Sequence, residues 1–434
     1  MLALSAPVII AELGWVTMGI VDTLMVGGLG PEAIGAVGLA SAIFIAVAVF
    51  AMGLLLGLDP LVAQAFGARR IDECHRWLVA GVWLAVLVTP PIVGLVFLVN
   101  LALPLFGLPP VVVALARPYL TVVGWSLPPL LLYVAFRRYL QAMNIVRAVT
   151  YTLIAANVVN AIFNWILISG RFGAPRLGVT GAAYATLASR IVMAVALLVV
   201  IVRRERHVEP RLRDTPLSLD MARVRRLVRL GLPAGTQMLI EVGVFAAATA
   251  LAGRVSATSL AAHQIAIHMA SATFMIPYGL ASAAAVRVGH ALGRRDPHGA
   301  IAAGWTAIVL GMAFMATAAL VFLTVPAALI RAFSDDAEVI AIGVRLLFVA
   351  AVFQLFDGLQ AVTTGALRGL GDTRTPMLWN LGGHWFVGLP LGYFLCFRWG
   401  YGLVGLWWGL SVGLIICGVS LVVVWRLKNS RLAP

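Results

Sequence analysis

Apolar residues run along this chain in blocks of 20 or more, separated by short polar breaks. Twelve blocks stand out, near residues 2 to 27, 33 to 57, 76 to 101, 115 to 136, 149 to 169, 179 to 202, 227 to 252, 259 to 286, 300 to 325, 340 to 364, 376 to 397 and 402 to 425. At about 1.5 Å of rise per residue, each is long enough to cross the hydrocarbon core of a bilayer as a helix. The only long polar connection is rich in arginine and proline and splits the blocks into two sets of six. The pattern predicts an all-α polytopic membrane protein with a first lobe at 1–202, an inter-lobe linker at 203–226 and a second lobe at 227–434.

The halves resemble each other. At an offset of 226, Pro7 falls on Pro233, Leu39-Ala40 on Ile265-Ala266, and Ala65-Phe66-Gly67 on Ala291-Leu292-Gly293. At nearby offsets Gly178 and Gly181 fall on Gly402 and Gly405, and Arg138 on Arg368. Six is an even number, so both repeats enter the membrane from the same side. The halves are therefore expected to be related by a pseudo-twofold axis along the membrane normal, with a cavity between them. Prolines inside the blocks, Pro90-Pro91, Pro128-Pro129, Pro277 and Pro390, mark where helices are expected to bend.

Composition agrees: hydrophobic residues are 62%, charged residues 11%, and mean hydropathy is +1.01, far from an ordinary water-soluble domain. The net charge of +14 would bring nucleic acid to mind in a soluble protein, but here the basic residues are sorted by side. If the N-terminus is inside, 23 of the 31 lysines and arginines lie on inward connections and 6 on outward ones; Arg190 and Arg345 fall within spans. By the positive-inside rule both termini are cytoplasmic. Met1 leads straight into the first span without a cleavage site, so no cleavable signal is expected, and the lack of a polar lead before that span points to a clipped start.

Against this apolar ground, a few polar residues stand out. The stretch Leu230 to Ala252 crosses a bilayer yet carries Glu241, and Asp357 and Asp22 are placed the same way in the tenth and first spans. A charge at that depth costs a few kcal/mol, a cost removed by a proton, a counter-ion or a wet cavity, so such acids are candidates for a cation pathway. Gln237 shares a helix face with Glu241, while Gln354, Asp357, Gln360 and Thr364 form a polar stripe on the tenth span. Asn157, Asn160 and Asn164 line one face of the fifth span, where Asp22 can meet them. Phe274, Phe353 and Phe356 offer ring faces to a cation, although each alone reads more readily as packing. Gln264 lies between His263 and His268 in the eighth span; these histidines are five apart, about 140° around the helix, and read as core residues rather than a metal pair. Glu12 is left without a role. Cys74, Cys396 and Cys417 have no paired spacing and indicate neither a disulfide nor a zinc site. The only lysine is Lys428, so no phosphate-cradling loop of the GxxxxGK type is present, and no hydrolase or metalloprotease motif is found: the chain does not read as an enzyme.

Several segments together resemble the multidrug and toxic compound extrusion family, in its NorM-like bacterial branch. They are VDTLMVGGLGPEAIGAVGLA at 21–40, PLVAQAFGARR at 60–70, RRYLQAMN at 137–144, NVVNAIFNWIL with RLGVTGAAYAT within 157–186, LPAGTQMLIEVGVF at 232–245, LAAHQIAIHMASATFMIPYGLASAAAVRVGHALG at 260–293 and FDGLQAVTTGALRGLGDTRTPM at 356–377. The resemblance implies a secondary antiporter that extrudes organic cations and lipophilic drugs in exchange for protons or sodium ions. It places one cation site on Asp22, Asn160, Asn164 and Thr186, and a second set of acids at Glu241 and Asp357. Asn164 stands where some relatives have aspartate, and Phe353 stands where a sodium-coupled relative has tyrosine. These departures tilt the expected coupling ion toward the proton, with sodium at Glu241 and Asp357 as the other choice. No cofactor beyond the ion is expected. The expected partners are cationic or lipophilic drugs and the bilayer, not nucleic acid, and the chain is expected to work as a monomer.

Three other readings compete. A lipid-linked oligosaccharide flippase of the same superfamily resembles a fourteen-span chain with a basic cavity, whereas this chain has twelve spans and buried acids. A major facilitator transporter shares the two six-span halves but resembles GxxxDRxGRR at its second connection, where this chain reads Asp59-Pro60 and then Gly67-Ala68-Arg69. A membrane enzyme needs a reactive cluster near one membrane face, and the sequence offers none.

Overall fold

A computed structural model describes residues 2–205 and 211–432, and all regular structure among them is helical. Ten of the predicted spans are helices long and apolar enough to cross a membrane: Ser5–Gly27, Pro31–Gly67, Ile71–Phe106, Val146–Ser169, Val179–Arg204, Met221–Val255, Ala257–Gly293, Pro297–Thr324, Ala337–Gly369 and Gly402–Leu432. The fourth span is a bent pair, Pro110–Trp125 and Leu127–Ala142, meeting at 44°. The eleventh mixes helix types: α over Arg374–Asn380, π over Leu381–Gly388, α over Leu389–Tyr393 and π over Phe394–Arg398.

Proline accounts for some of this. Pro128-Pro129 open the second half of the fourth span, where a backbone N–H has no partner to lose, and the bend at Ser126 is the one expected there. Pro390 lies in the short α turn between the two π segments. Pro90-Pro91 and Pro277, also expected to mark bends, sit inside continuous helices. Helix ends follow local chemistry: Asp296 and Asp336 accept from backbone N–H groups of the next turn, and left-handed glycines, Gly107 (φ 67°) and Gly170 (φ 71°), close helices where a side chain would be strained.

The chain divides into two compact units, Ile10–Gly235 and the remainder. Most of the expected linker, 203–226, therefore groups with the first unit; its residues 206 to 210 lie outside the described residues. The first unit is built around Phe44, Leu120, Leu127, Leu130, Tyr133 and Tyr139. In it the second and seventh spans approach backbone to backbone: a Cβ on Gly57 would stand 2.8 Å from the carbonyl oxygen of Leu227. The first unit also gives Glu12 a partner. Its carboxylate is buried in an ion pair with Arg137, and Arg138 lies 3.6 Å from Asp59. The sequence pattern placed Arg137 and Arg138 on an inward connection; they are instead buried in the fourth span, where acids from other helices compensate their charge.

The second unit has cores around Leu346, Leu347, Trp407 and Leu410 and around Leu280, Val362 and Trp425. Small residues let its helices touch. A Cβ on Gly369 would come 2.7 Å from the carbonyl of Ala285, and one on Gly392 would come 2.8 Å from that of Leu406. In both units large apolar residues such as Leu24, Leu101 and Phe386 remain exposed, as a lipid-facing surface requires. The protein is a multi-pass membrane protein.

Candidate functional site

In the first unit, Asp22, Asn160, Asn164 and Thr186 converge from three spans. Asn164 donates its amide to Asp22 Oδ1 at 2.6 Å and to Asn160 Oδ1 at 3.1 Å, and the Thr186 hydroxyl lies 3.0 Å from Asp22 Oδ2. All four are buried, and the geometry follows from the spacing of four between Asn160 and Asn164 on one helix face. The cluster is not saturated, since Asn160 Nδ2 and Asn164 Oδ1 have no protein partner.

The sequence reading missed its surroundings. The Tyr119 hydroxyl meets Ser41 at 3.3 Å and lies beside Thr186. Arg190, one turn beyond Thr186, is buried, donates to Ser126 and lies 4.5 Å over the ring of Phe44, within the electrostatic reach of Asp22. Its signal was visible as a lone arginine within a span.

In the second unit, Glu241 Oε1 accepts from Gln237 at 3.0 Å and from Gln360 at 2.9 Å. The Gln360 amide nitrogen also donates to Asn380 Oδ1 at 2.9 Å, and Asn380 is anchored by its own donation to the Pro376 carbonyl at 3.0 Å. Asn380 escaped the sequence reading, although a lone amide in an apolar run is the same kind of signal that marked Gln360. Asp357, three residues before Gln360, interacts electrostatically with Glu241. Among the described residues no side chain or backbone group donates to it, and it is partly exposed. The two acids therefore share one region of the unit in different states: one carboxylate is held by amides and the other is open.

The other candidates are more dispersed. Gln354 is fully buried and accepts from Thr273, leaving its own amide nitrogen unpaired. Phe274 packs 6.0 Å from Tyr278, and Gln264 is half-buried. Phe353 is 3% exposed and enclosed by Trp407 and Phe245 at 5.5 and 6.1 Å, so its ring fills the interior of the unit. His263 is a satisfied core histidine: Nδ1 accepts from Trp407 Nε1 at 3.1 Å, and Nε2 faces the Thr249 hydroxyl at 3.0 Å.

The sequence model of the MatE family matches the chain twice, over residues 7–166 and 233–394, starting 226 residues apart. The chain is 38% identical over 440 residues to a probable multidrug resistance protein NorM of Mesorhizobium japonicum, covering 100% of this chain and 94% of that one. It is 36% identical over 439 residues to the multidrug resistance protein NorM of Burkholderia vietnamiensis, covering 99% and 94%. In fold it is similar to an outward-facing multidrug resistance MATE transporter, with a TM-score of 0.89 and 21% identity over 100% of this chain and 96% of that one. A eukaryotic MATE transporter aligns with a TM-score of 0.87 and 21% identity over 99% and 97%. With two matches to one family model in register with its internal repeat, and relatives over its whole length, the chain belongs to the multidrug and toxic compound extrusion family.

Proposed function

We propose that this chain is a secondary active efflux antiporter of a bacterial inner membrane, with both termini cytoplasmic, exporting organic cations and lipophilic drugs in exchange for protons or sodium ions. The observation that carries the reading is Asp357: an acid in a membrane span that accepts no hydrogen bond from the described protein, close to a second acid held by glutamines. An ionised carboxylate there carries a desolvation cost that a proton or a bound cation removes. Drug and coupling ion then compete for the same charge, and competition yields exchange when the empty, charged site disfavours switching between outward and inward states.

The proton is the preferred coupling ion. Sodium needs about five converging oxygens, and Phe353 brings no hydroxyl to the tenth span. The amides of Gln237 and Gln360 direct N–H groups at Glu241, which suits a carboxylate but adds no oxygen ligand. Purified protein in liposomes tests the reading. Dye efflux driven by an imposed proton gradient, and not by a sodium gradient at constant ionic strength, is the expected result; transport under the sodium gradient alone reverses the choice of ion, and transport under neither removes the antiport assignment.

A further inference from the structure

The stretch from Arg211 to Arg229 carries six arginines against two aspartates, and the structure fixes it against the third span. Arg223 forms a bidentate pair with Glu73, at 2.8 and 3.0 Å, and also reaches Asp220 at 3.1 Å. The guanidinium groups of Arg223 and Arg226 lie 5.0 and 5.7 Å from the ring centre of Trp77. Further along the same helix, Trp83 Nε1 donates to the backbone carbonyl of Leu217 at 2.8 Å.

These contacts order the segment by depth. Trp77 and Trp83 are six residues apart, so Leu217 lies about 9 Å further along the third span than the Arg223 clamp, in the direction of the apolar stretch. Packing marks a second level: a Cβ on Gly81 would meet the Leu58 side chain at 2.8 Å, and Leu58 adjoins the close approach of Gly57 to Leu227, so the turn of helix that carries Arg225 and Arg229 packs beside the same stretch of the third span. The part of the segment that leads from the Trp83 contact to the clamp is apolar and unsheltered: Leu217 is 71% exposed, Met221 50% and Leu219 40%. Arg213, Arg225 and Arg229 are exposed around it. Water is a poor medium for three such side chains, and a tryptophan pinning the backbone beside them is the residue type that favours the membrane interface.

We propose that this segment is an interfacial wedge for anionic phospholipid: Leu217, Leu219 and Met221 enter the acyl layer on the arginine-rich side, while Arg213, Arg225 and Arg229 take the phosphate headgroups. The positive-inside rule assigns that side to the cytoplasmic leaflet. Anionic lipid, rather than free phosphate, fits because the basic groups come with apolar side chains that phosphate cannot cover. Glu73 and Trp77 supply the rigid seat, holding Arg223 and Arg226 for docking and leaving Arg213, Arg225 and Arg229 to the lipid.

The test uses the full chain with Leu217→Cys carrying a nitroxide label, reconstituted in phosphatidylcholine vesicles with and without about one-third phosphatidylglycerol. The native cysteines, Cys74, Cys396 and Cys417, are buried. The label is expected to relax with lipid-soluble oxygen rather than with a water-soluble nickel chelate. In addition, spin-labelled phosphatidylglycerol is expected to associate at least about twofold more strongly than phosphatidylcholine. That preference should fall toward unity in the Arg225→Gln, Arg229→Gln double variant and in high salt, and should persist against added inorganic phosphate. A water-exposed label in both lipid mixtures, a lipid preference untouched by the arginine substitutions, or displacement by free phosphate overturns the proposal.

Discussion

Gln360 lies 119 residues after Glu241 in the chain and donates to its carboxylate at 2.9 Å, using the same amide nitrogen that donates to Asn380 at equal distance. One side chain on the tenth span thus joins the acid of the seventh to the amide of the eleventh. Gln360→Leu keeps the volume and removes the junction. It is expected to lower stability in detergent by about 1 kcal/mol and to slow efflux, because Asn380 Oδ1 loses its donor in a buried place. Unchanged melting and unchanged efflux together would show that the three helices are held by packing alone.

Glu241→Gln and Asp357→Asn are each expected to reduce coupled efflux by at least about tenfold, equivalent to about 1.4 kcal/mol of barrier, without loss of folded protein. Removing a costly charge from an apolar region should not destabilise the fold. Efflux assays on both variants, with membrane insertion checked by size-exclusion of the purified protein, give the answer; wild-type export by either would remove that acid from the mechanism.

If drug and proton share the acid pair, drug binding to purified protein should release protons into weak buffer, and affinity should fall as pH is lowered. Isothermal calorimetry in two buffers of different ionisation enthalpy measures the released proton directly. Identical heats in both buffers would mean that no proton leaves, and the exchanged ion would have to be sought elsewhere.

Close helix contact in the second unit predicts a contrast between two glycines. Gly369→Ala places a Cβ within 2.7 Å of the Ala285 carbonyl, a backbone atom with no freedom to withdraw, and should cost about 1 to 3 kcal/mol. Gly94→Ala meets nothing within 4 Å and should be neutral or mildly stabilising through helix propensity. Thermal unfolding of the pair in one detergent distinguishes them, and equal melting would refute the packing argument.

At the end of the tenth span, Asp372 lies 2.6 Å from Lys428 of the twelfth. Burial pushes its carboxyl up, but the bonds from Lys428 and Thr375 outweigh burial and hold it below the ordinary value of 3.8. A carboxyl depressed in the folded state contributes stability above its unfolded value and loses it as pH falls through the folded one. The contribution should therefore be intact near neutrality and disappear below about pH 4, and Asp372→Asn should flatten that part of the melting profile. A wild-type and variant difference that stays constant across the acid range would contradict the ion pair.

Much of this was legible because a bilayer imposes its own grammar. Blocks of apolar residues fixed the spans, and the two lone acids of the second unit stood out for the cost of their charge. The cluster of Asp22 with Asn160 and Asn164 was legible from a spacing of four. What was not legible was pairing across long sequence separations: Glu12 with Arg137, Arg223 with Glu73, and Gln360 with Asn380 depend on which helices become neighbours, which periodicity does not encode. The burial of Phe353 was equally invisible, because an aromatic ring in an apolar helix has the same pattern whether it meets a cavity or Trp407.

The π-helical turns of Leu381–Gly388 hold one residue more than the α-helical turns around them. Removing a single residue there could return the segment to an α-helix with its backbone bonds intact and the downstream faces preserved. The same deletion in the uninterrupted helix Gly402–Leu432 would turn everything after it by about 100°. The eleventh span is therefore where this half of the protein can lose a residue and keep its register, a tolerance that a library of single deletions read out by drug resistance would map directly.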